Sequence, residues 1–300
     1  MDGSSALQRL RGTTGLWSFA HETVAPAAAG EVAALIEELG FSALWYPEAF
    51  GRESLTSASL LLAGSSSLVI GSSIASIWAR DAMAASAAAK TLSEMSHDRF
   101  VLGLGVSHKP MVERTRGHDY QRPLAAMDAY LDALDATTMF AAEAAARPPR
   151  LIAALGPAML ALARDKADGA IPYLVTPEHT ELARSILGPD AFLGVEQAVV
   201  LSDDAGVVAE RAAAHLHIYT GLPNYQNSWR RLGFSDDDFV PGGSRRLQQA
   251  LVVSGDEDAV AARVADHMAA GADHVCLQVL GPDAFGVPEE DWRRLGPAAR

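Results

Sequence analysis

The chain has 300 residues, 49% hydrophobic and 20% charged, enough to bury a sizeable core in one large α/β domain or two ordinary ones. With 37 acidic against 24 basic residues its net charge is -13, and a surface of that sign repels phosphate backbones and anionic lipid, which argues against nucleic acid and membrane as partners. MDGSSALQRLRGTTG at the start lacks the apolar core of a secretory signal, and SLLLAGSSSLVIGSSIASIWA is broken too often by Ser and Gly to span a bilayer, so a cytoplasmic location is expected.

In chain order, residues 1–14 read as a flexible extension, followed by nine candidate strands interleaved with helices. The first strand is GLWSF (15–19). EVAALIEELG then sets Val32, Leu35, Ile36 and Leu39 on one helical face and stops at Gly40, ahead of ALWYP (43–47). LVIGSSI (68–74) and RFVLGLGV (99–106) come next, then a loose stretch AAEAAARPP (141–149) and the strands RLIAAL (150–155) and GAIPYLV (169–175). Thr176 and Pro177 open a helix as cap and first residue, and Ser202, Asp203 and Asp204 offer caps after VEQAVVL (195–201).

Residues 222–244 read as a loop insertion, a lid or substrate wall, with Asp236, Asp237 and Asp238 as a solvated turn or helix start rather than a metal site. ALVVS (250–254) leads to a helix over DEDAVAARVADHMAAG, for which Ser254 and Glu257 have capping-box spacing, with Val260, Val264 and Met268 on one face. HVCLQVL (274–280) is the ninth strand, and the tail after Gly281 reads as loose. Alternating strands and helices predict a parallel sheet, and no linker divides the chain, so one domain over 1–300 is expected. A closed barrel of this kind uses eight strands; one of the nine is therefore an insertion, an edge or no strand.

The lone Cys276 excludes an internal disulfide and, within HVCLQVL, reads as a buried core thiol. No histidines stand at metal-ligand spacing: His215 and His217 point apart on one helix, and His97 precedes a strand at the end away from any mouth. GLGVSHKP departs from a dinucleotide fingerprint and lacks a P-loop lysine, which speaks against a nicotinamide-binding domain. LIAALGPAML is a strand, a Gly-Pro turn and a helix start. Gly156 lets a ligand approach the backbone, Pro157 presets the first turn, and Ala158 and Met159 offer their amides, the makings of an anion site that also occurs for purely structural reasons.

Taken together, GLWSF, ELGFSALWYPEAFGR, IGSSIASIWARD, TLSEMSHDRFVLGLGVS and LIAALGPAMLALARDKADGAIPYLVTPE resemble the luciferase-like monooxygenase superfamily, most of all its coenzyme F420-dependent oxidoreductases. The likeness runs from GLWSF through HVCLQVL. It implies a TIM (β/α)8 barrel with the cofactor at the C-terminal ends of the strands. It also implies a non-proline cis peptide under the cofactor ring, at Ser73–Ile74 by position, and a cofactor phosphate at Gly156, Ala158 and Met159 with Tyr173 nearby. F420 is the expected cofactor, FMN the alternative, a small molecule the substrate and a homodimer the expected assembly.

Relatives commonly follow the second strand with an acid and a histidine, whereas this chain has Glu48 and then Ala49. Glu48 is either a general acid with its pKa raised by burial or the ion-pair partner of Arg52 or Arg80. His108 falls near the place where relatives put a catalytic acid, or is a plain loop histidine. Trp17, Trp45 and Trp78, near strand ends, are candidates for a flat substrate wall, with core or rim positions as the alternative, and Arg80 could neutralise an anion or pair at the surface. Three readings stay open: an F420-dependent oxidoreductase, an FMN-dependent monooxygenase and a binding barrel without turnover.

Overall fold

The computed structural model describes residues 5–49, 51–138, 147–283 and 285–296. Eight strands form a closed parallel ring: β1 (Thr13–Trp17), β2 (Ala43–Tyr46), β3 (Val69–Ser72), β4 (Phe100–Gly105), β5 (Arg150–Ile152), β6 (Gly169–Ala170), β7 (Phe192–Val200) and β8 (His274–Val279). Each pairs with the next, and β8 pairs with both β7 and β1, which leaves the ring no free edge. This is the TIM barrel. The strand at Val252–Ser254 pairs with Ala198–Val200 of β7 beyond the reach of β6 and stands outside the ring, so ALVVS is the supernumerary candidate. Its expected first residues, Ala250 and Leu251, end the helix Arg245–Leu251 instead.

Strand side chains divide by the two-residue period of a pleat. Trp17, Trp45, Val69, Val101, Leu151, Ile171, Phe192 and Cys276 point inward as one cluster, while Leu16, Leu44, Ile70, Leu102, Ile152, Leu193 and Val275 lie under the outer helices. The interior is a packed core, and Gly71 shows how tightly: a Cβ there would stand 2.2 Å from the Trp45 ring. Cys276 is fully buried, its thiol bonded to the Val195 carbonyl at 3.2 Å and its pKa pushed up by burial.

Several segments expected to be loose are built into the fold. Ser5 and Gln8 form a capping box on the helix Ala6–Leu10, whose Ala6, Leu7 and Leu10 join the interior cluster and plug the N-terminal end of the barrel. Residues 1–4 of the expected extension, like 141–146 of the next loose stretch, lie outside the described residues. Residues 222–244 carry the helix Pro223–Arg231 and a turn at Asp236–Asp238, where Asp238 is buried and accepts from the Ser235 amide and the Ser244 hydroxyl. The tail forms the helix Glu289–Leu295 with Trp292 and Leu295 buried.

The helices Pro26–Glu38 and Glu257–Ala269 fall where the apolar spacing predicts. The cap of the second is Asp256, which accepts from the Ala259 amide, because Gly255 at φ 126° turns the chain between Ser254 and the helix. No helix among the described residues is long and apolar enough to cross a membrane.

Candidate active site

At the C-terminal mouth, Trp17 at the end of β1 is buried and donates its indole N–H to the Ser73 carbonyl at 3.3 Å. The Ser73–Ile74 bond is the non-proline cis peptide that the resemblance implies. Ile74, Phe19 and Tyr173 are half-buried and cover the interior cluster from above. Ring contacts run from Phe19 to Trp17 (4.8 Å), Trp17 to Tyr173 (5.1 Å), Tyr173 to Tyr219 (5.6 Å) and Tyr219 to Tyr225 (5.1 Å), an aromatic belt that reaches the helix Pro223–Arg231.

Polar groups sit along this belt. Tyr219 donates to the Tyr173 oxygen at 3.4 Å, and Tyr173 donates to Gln278 Oε1 on β8 at 2.7 Å. Glu196, on the inward face of β7, is 1% exposed; its Oε2 accepts from the Leu174 amide at 3.0 Å and its Oε1 has no partner. Burial without a countercharge raises its pKa to about 8, so it holds a proton at pH 7. His215 lies 6.2 Å from the Tyr173 ring and 5.6 Å from that of Tyr219, its Nε2 unpartnered and its pKa lowered to about 4 by burial. A neutral acid and a neutral base beside three phenols in one mouth is the kind of cluster that proton chemistry uses.

Neither Glu196 nor His215 stands out in the sequence. Their signals were slight: a carboxylate on the core-facing phase of an otherwise apolar strand, and a histidine set aside for want of a metal partner.

Glu48 is held differently. Its carboxylate accepts from Arg80, from the Ser76 amide at 2.8 Å and from the Ser54 amide at 3.4 Å, and Arg80 also bridges Glu53 at 2.7 Å. The pairing alternative with Arg80 describes it, while Arg52 spends its N–H groups on the His21 and Val24 carbonyls. Arg80, its charge taken up by two carboxylates, is no free anion receptor. His108 stands half-buried at the rim, with Asn224 as side-chain partner and the Tyr225 ring at 5.8 Å; burial lowers its pKa.

Of the three tryptophans only Trp17 reaches the belt. Trp45 is fully buried lower in the barrel, its indole donating to His274 Nε2 at 3.0 Å, because its inward direction carries it toward the plugged end. Trp78 donates to the Val106 carbonyl at 2.8 Å and braces the loop after β4, near Tyr120.

Gly156 caps the helix Pro157–Lys166 with Pro157 in its first turn. The Met159 amide is spent on the Gly156 carbonyl at 3.1 Å, which leaves Ala158, exposed, as the free donor of the expected pair. Arg231 supplies what the sequence reading lacked. Its guanidinium stands 3.6 Å from where a Gly156 Cβ would be, and it makes no hydrogen bond or ion pair among the described residues. A helix N-terminus, an approachable glycine and an unspent cation suit an anionic group, and the aromatic floor with the orphaned Glu196 and His215 atoms suits a ring with polar edges. The residues fit a flavin-like cofactor. Among the described residues no three His, Cys, Asp or Glu gather as a metal site.

A closed parallel barrel with its candidate site at the C-terminal mouth has the layout of a TIM-barrel enzyme. The sequence model of the luciferase-like monooxygenase family matches residues 12–274, and the chain belongs to that family. A Mycobacterium tuberculosis protein named as a candidate coenzyme F420-dependent oxidoreductase is 26% identical over 86% of this chain and 88% of its own.

Solved structures share the fold at low identity. An F420-dependent secondary alcohol dehydrogenase bound to an F420-acetone adduct has a TM-score of 0.71 at 14% identity, covering 97% of this chain and 100% of its own. The F420-dependent tetrahydromethanopterin reductase of Methanopyrus kandleri has a TM-score of 0.69 at 16% identity, covering 96% and 99%. The FMN-bound oxygenating component of 3,6-diketocamphane monooxygenase from Pseudomonas putida has a TM-score of 0.71 at 11% identity, covering 96% of each chain.

Proposed function

We propose that this protein is an F420-dependent oxidoreductase that transfers a hydride between the deazaflavin and a small organic substrate. The observation that carries this reading is the mycobacterial relative, which matches most of both chains and is named for that coenzyme. When bound, a deazaflavin would supply the hydride chemistry, and this chain's residues would bind and orient it and manage the proton. Gly156 and the Ala158 amide, with Arg231 beside them, hold the anionic tail. Ser73, Ile74, Trp17 and Tyr173 offer the ring an apolar bed, and the helix Pro223–Arg231 walls the mouth against water.

A hydride delivered to an unsaturated carbon leaves an electron pair on the neighbouring atom, and a proton must meet it. Glu196, protonated at neutral pH, is the donor on this side of the mouth, and the phenol of Tyr173, its proton given to Gln278, offers its oxygen as an acceptor. Glu48 orients Arg80 and the Ser76 amide instead, and neutral His108 stands ready at the rim as a hydrogen-bond partner.

An FMN-dependent monooxygenase is the second reading, favoured by the equal fold likeness to the FMN-bound diketocamphane enzyme. A barrel that binds its cofactor without turnover is the third, favoured by Ala49 where relatives have histidine. Titration with oxidised F420 and, separately, with FMN, followed by quenching of each cofactor's fluorescence, tests them. Saturable binding of F420 alone supports the proposal, preference for FMN selects the second reading, and binding of neither overturns the role of the Gly156 turn. We also propose a homodimer through the neighbouring outer helices Ala82–Met95 and Pro123–Asp135, where Met83, Met95 and Leu124 are exposed; the mass in solution by light scattering tests it.

A further inference from the structure

Between the aromatic belt and the helix Pro223–Arg231 the chain makes a costly turn. Leu174 is buried and stands at φ 56°, a conformation that strains a residue with a Cβ. Both of its backbone polar groups are engaged by side chains from elsewhere in the fold. Its carbonyl accepts from the Trp229 indole at 3.2 Å, and its amide donates to Glu196 Oε2 at 3.0 Å. Trp229 is fully buried in the helix Pro223–Arg231 and Glu196 lies on β7, so this one residue joins the wall of the mouth to the acid within it. Relaxation to negative φ would turn the amide away from Glu196. The indole opposes that relaxation, and the Leu174 side chain adds to the hold by packing in one cluster with Trp229, Tyr225 and Leu251.

A protonated carboxyl has one oxygen that donates and one that only accepts. With an N–H facing Oε2, the proton belongs on Oε1, the oxygen that has no partner. The same amide eases ionisation, because a hydrogen bond to a carboxylate favours its charged form. Among the described residues, the titratable groups that face Glu196 are Tyr173, Tyr219, Tyr225 and Cys276, all pushed up by burial and neutral at pH 8. His215, beside Tyr173 and Tyr219, is neutral there as well.

We propose that Trp229 and Leu174 are positioning residues for Glu196: the indole holds Leu174 in its left-handed turn, and the amide so held fixes which carboxyl oxygen carries the proton. On the reading of Glu196 as the proton donor, on which this rests, the helix that walls the mouth also sets the acid inside it.

The test is an infrared pH titration of the full-length protein, without cofactor, that follows the C=O stretch of protonated Glu196, identified by its loss in Glu196→Gln. The wild-type midpoint is expected at about 8. In Trp229→Phe, which removes the indole N–H, the midpoint should rise by about one pH unit, the tenfold change that loss of one hydrogen bond to a charged group implies. Replacing Trp229 by benzothienylalanine, which puts sulfur in place of the N–H at nearly the same volume, should have the same effect and guards against a packing defect. Leu174→Gly is the control. Glycine takes φ 56° without strain and keeps its amide, so stability falls with the lost side chain while the midpoint stays. A midpoint unmoved in both Trp229 variants, or one that rises as far in Leu174→Gly, would overturn the proposal and leave Trp229 as packing. A wild-type midpoint in the ordinary carboxylate range would overturn the reading of Glu196 as donor, and the proposal with it.

Discussion

The two ends of one barrel interior are built to opposite rules. At the plugged N-terminal end interior polar groups pair in a chain: Trp45 donates to His274 Nε2, His274 Nδ1 meets Thr13 Oγ1 at 3.1 Å, and Thr13 meets Ser42 at 2.7 Å. At the mouth, Glu196 Oε1 and His215 Nε2 are buried with no partner. Both ends shift their titratable groups by burial, His274 to about 4 and Glu196 to about 8, yet only the mouth keeps the valence that a ligand could use. A fold that satisfies one end and leaves the other unsatisfied has separated stability from function along its axis, as barrels of this type do.

The largest effect that would test this division is at the plug. Trp45→Ala leaves a void against Gly71 and an orphaned His274, and should cost about 3–5 kcal/mol in urea unfolding. A cost below about 1 kcal/mol would mean that the plugged end is not what holds the barrel. Next in size is Glu196→Gln. The folded pKa of about 8 lies above the ordinary carboxylate value, so the unfolded chain releases this proton at lower pH than the native one. Native stability therefore falls as pH rises from about 4.5 to about 8. The amide removes that penalty: the variant should match the wild type at pH 4 and exceed it by a few kcal/mol, to order of magnitude, at pH 9. Equal stability at both pH values would show that folding leaves the Glu196 pKa at its unfolded value, so that the carboxyl is not protonated in the native protein at pH 7.

Arg231→Ala belongs a step lower. The exposed guanidinium has no partner to lose, so unfolding should be unchanged while F420 binding weakens about tenfold, the worth of one charge-assisted bond. Unchanged binding would leave the Gly156 turn as an ordinary helix start.

The ring and its helices were legible because strand phase and helix faces repeat locally: Val32, Ile36 and Val260 announce their buried sides. Ser73–Ile74 and Gly156 were legible through resemblance, which carries the positions of turns that periodicity cannot give. The rest depends on partners distant in sequence. Trp45 could not be decided between wall and core because strand phase tells in from out but not top from bottom, and what fixes its depth, the bond to His274 on β8 and the packing against Gly71 on β3, joins residues 229 and 26 positions away. Glu48 could not be decided between acid and ion pair until Arg80 was in place. Arg231 lay in a stretch read as loop, and only the helix Pro223–Arg231 aims it at Gly156.

The smallest expected effect is the sharpest test of the contrast. Tyr219 donates to Tyr173 at 3.4 Å, long for an O–H to O bond, and its ring keeps its belt contacts if the hydroxyl alone is removed. Tyr219→Phe should therefore cost less than about 0.5 kcal/mol in unfolding. It would also free an acceptor site on Tyr173, whose own proton goes to Gln278, so any effect on turnover should exceed the effect on stability. If unfolding instead weakens by more than about 1 kcal/mol while turnover is unmoved, the belt is structural. The mouth would then be a second plug, and the barrel's division between a satisfied and an unsatisfied end would fail where it matters most.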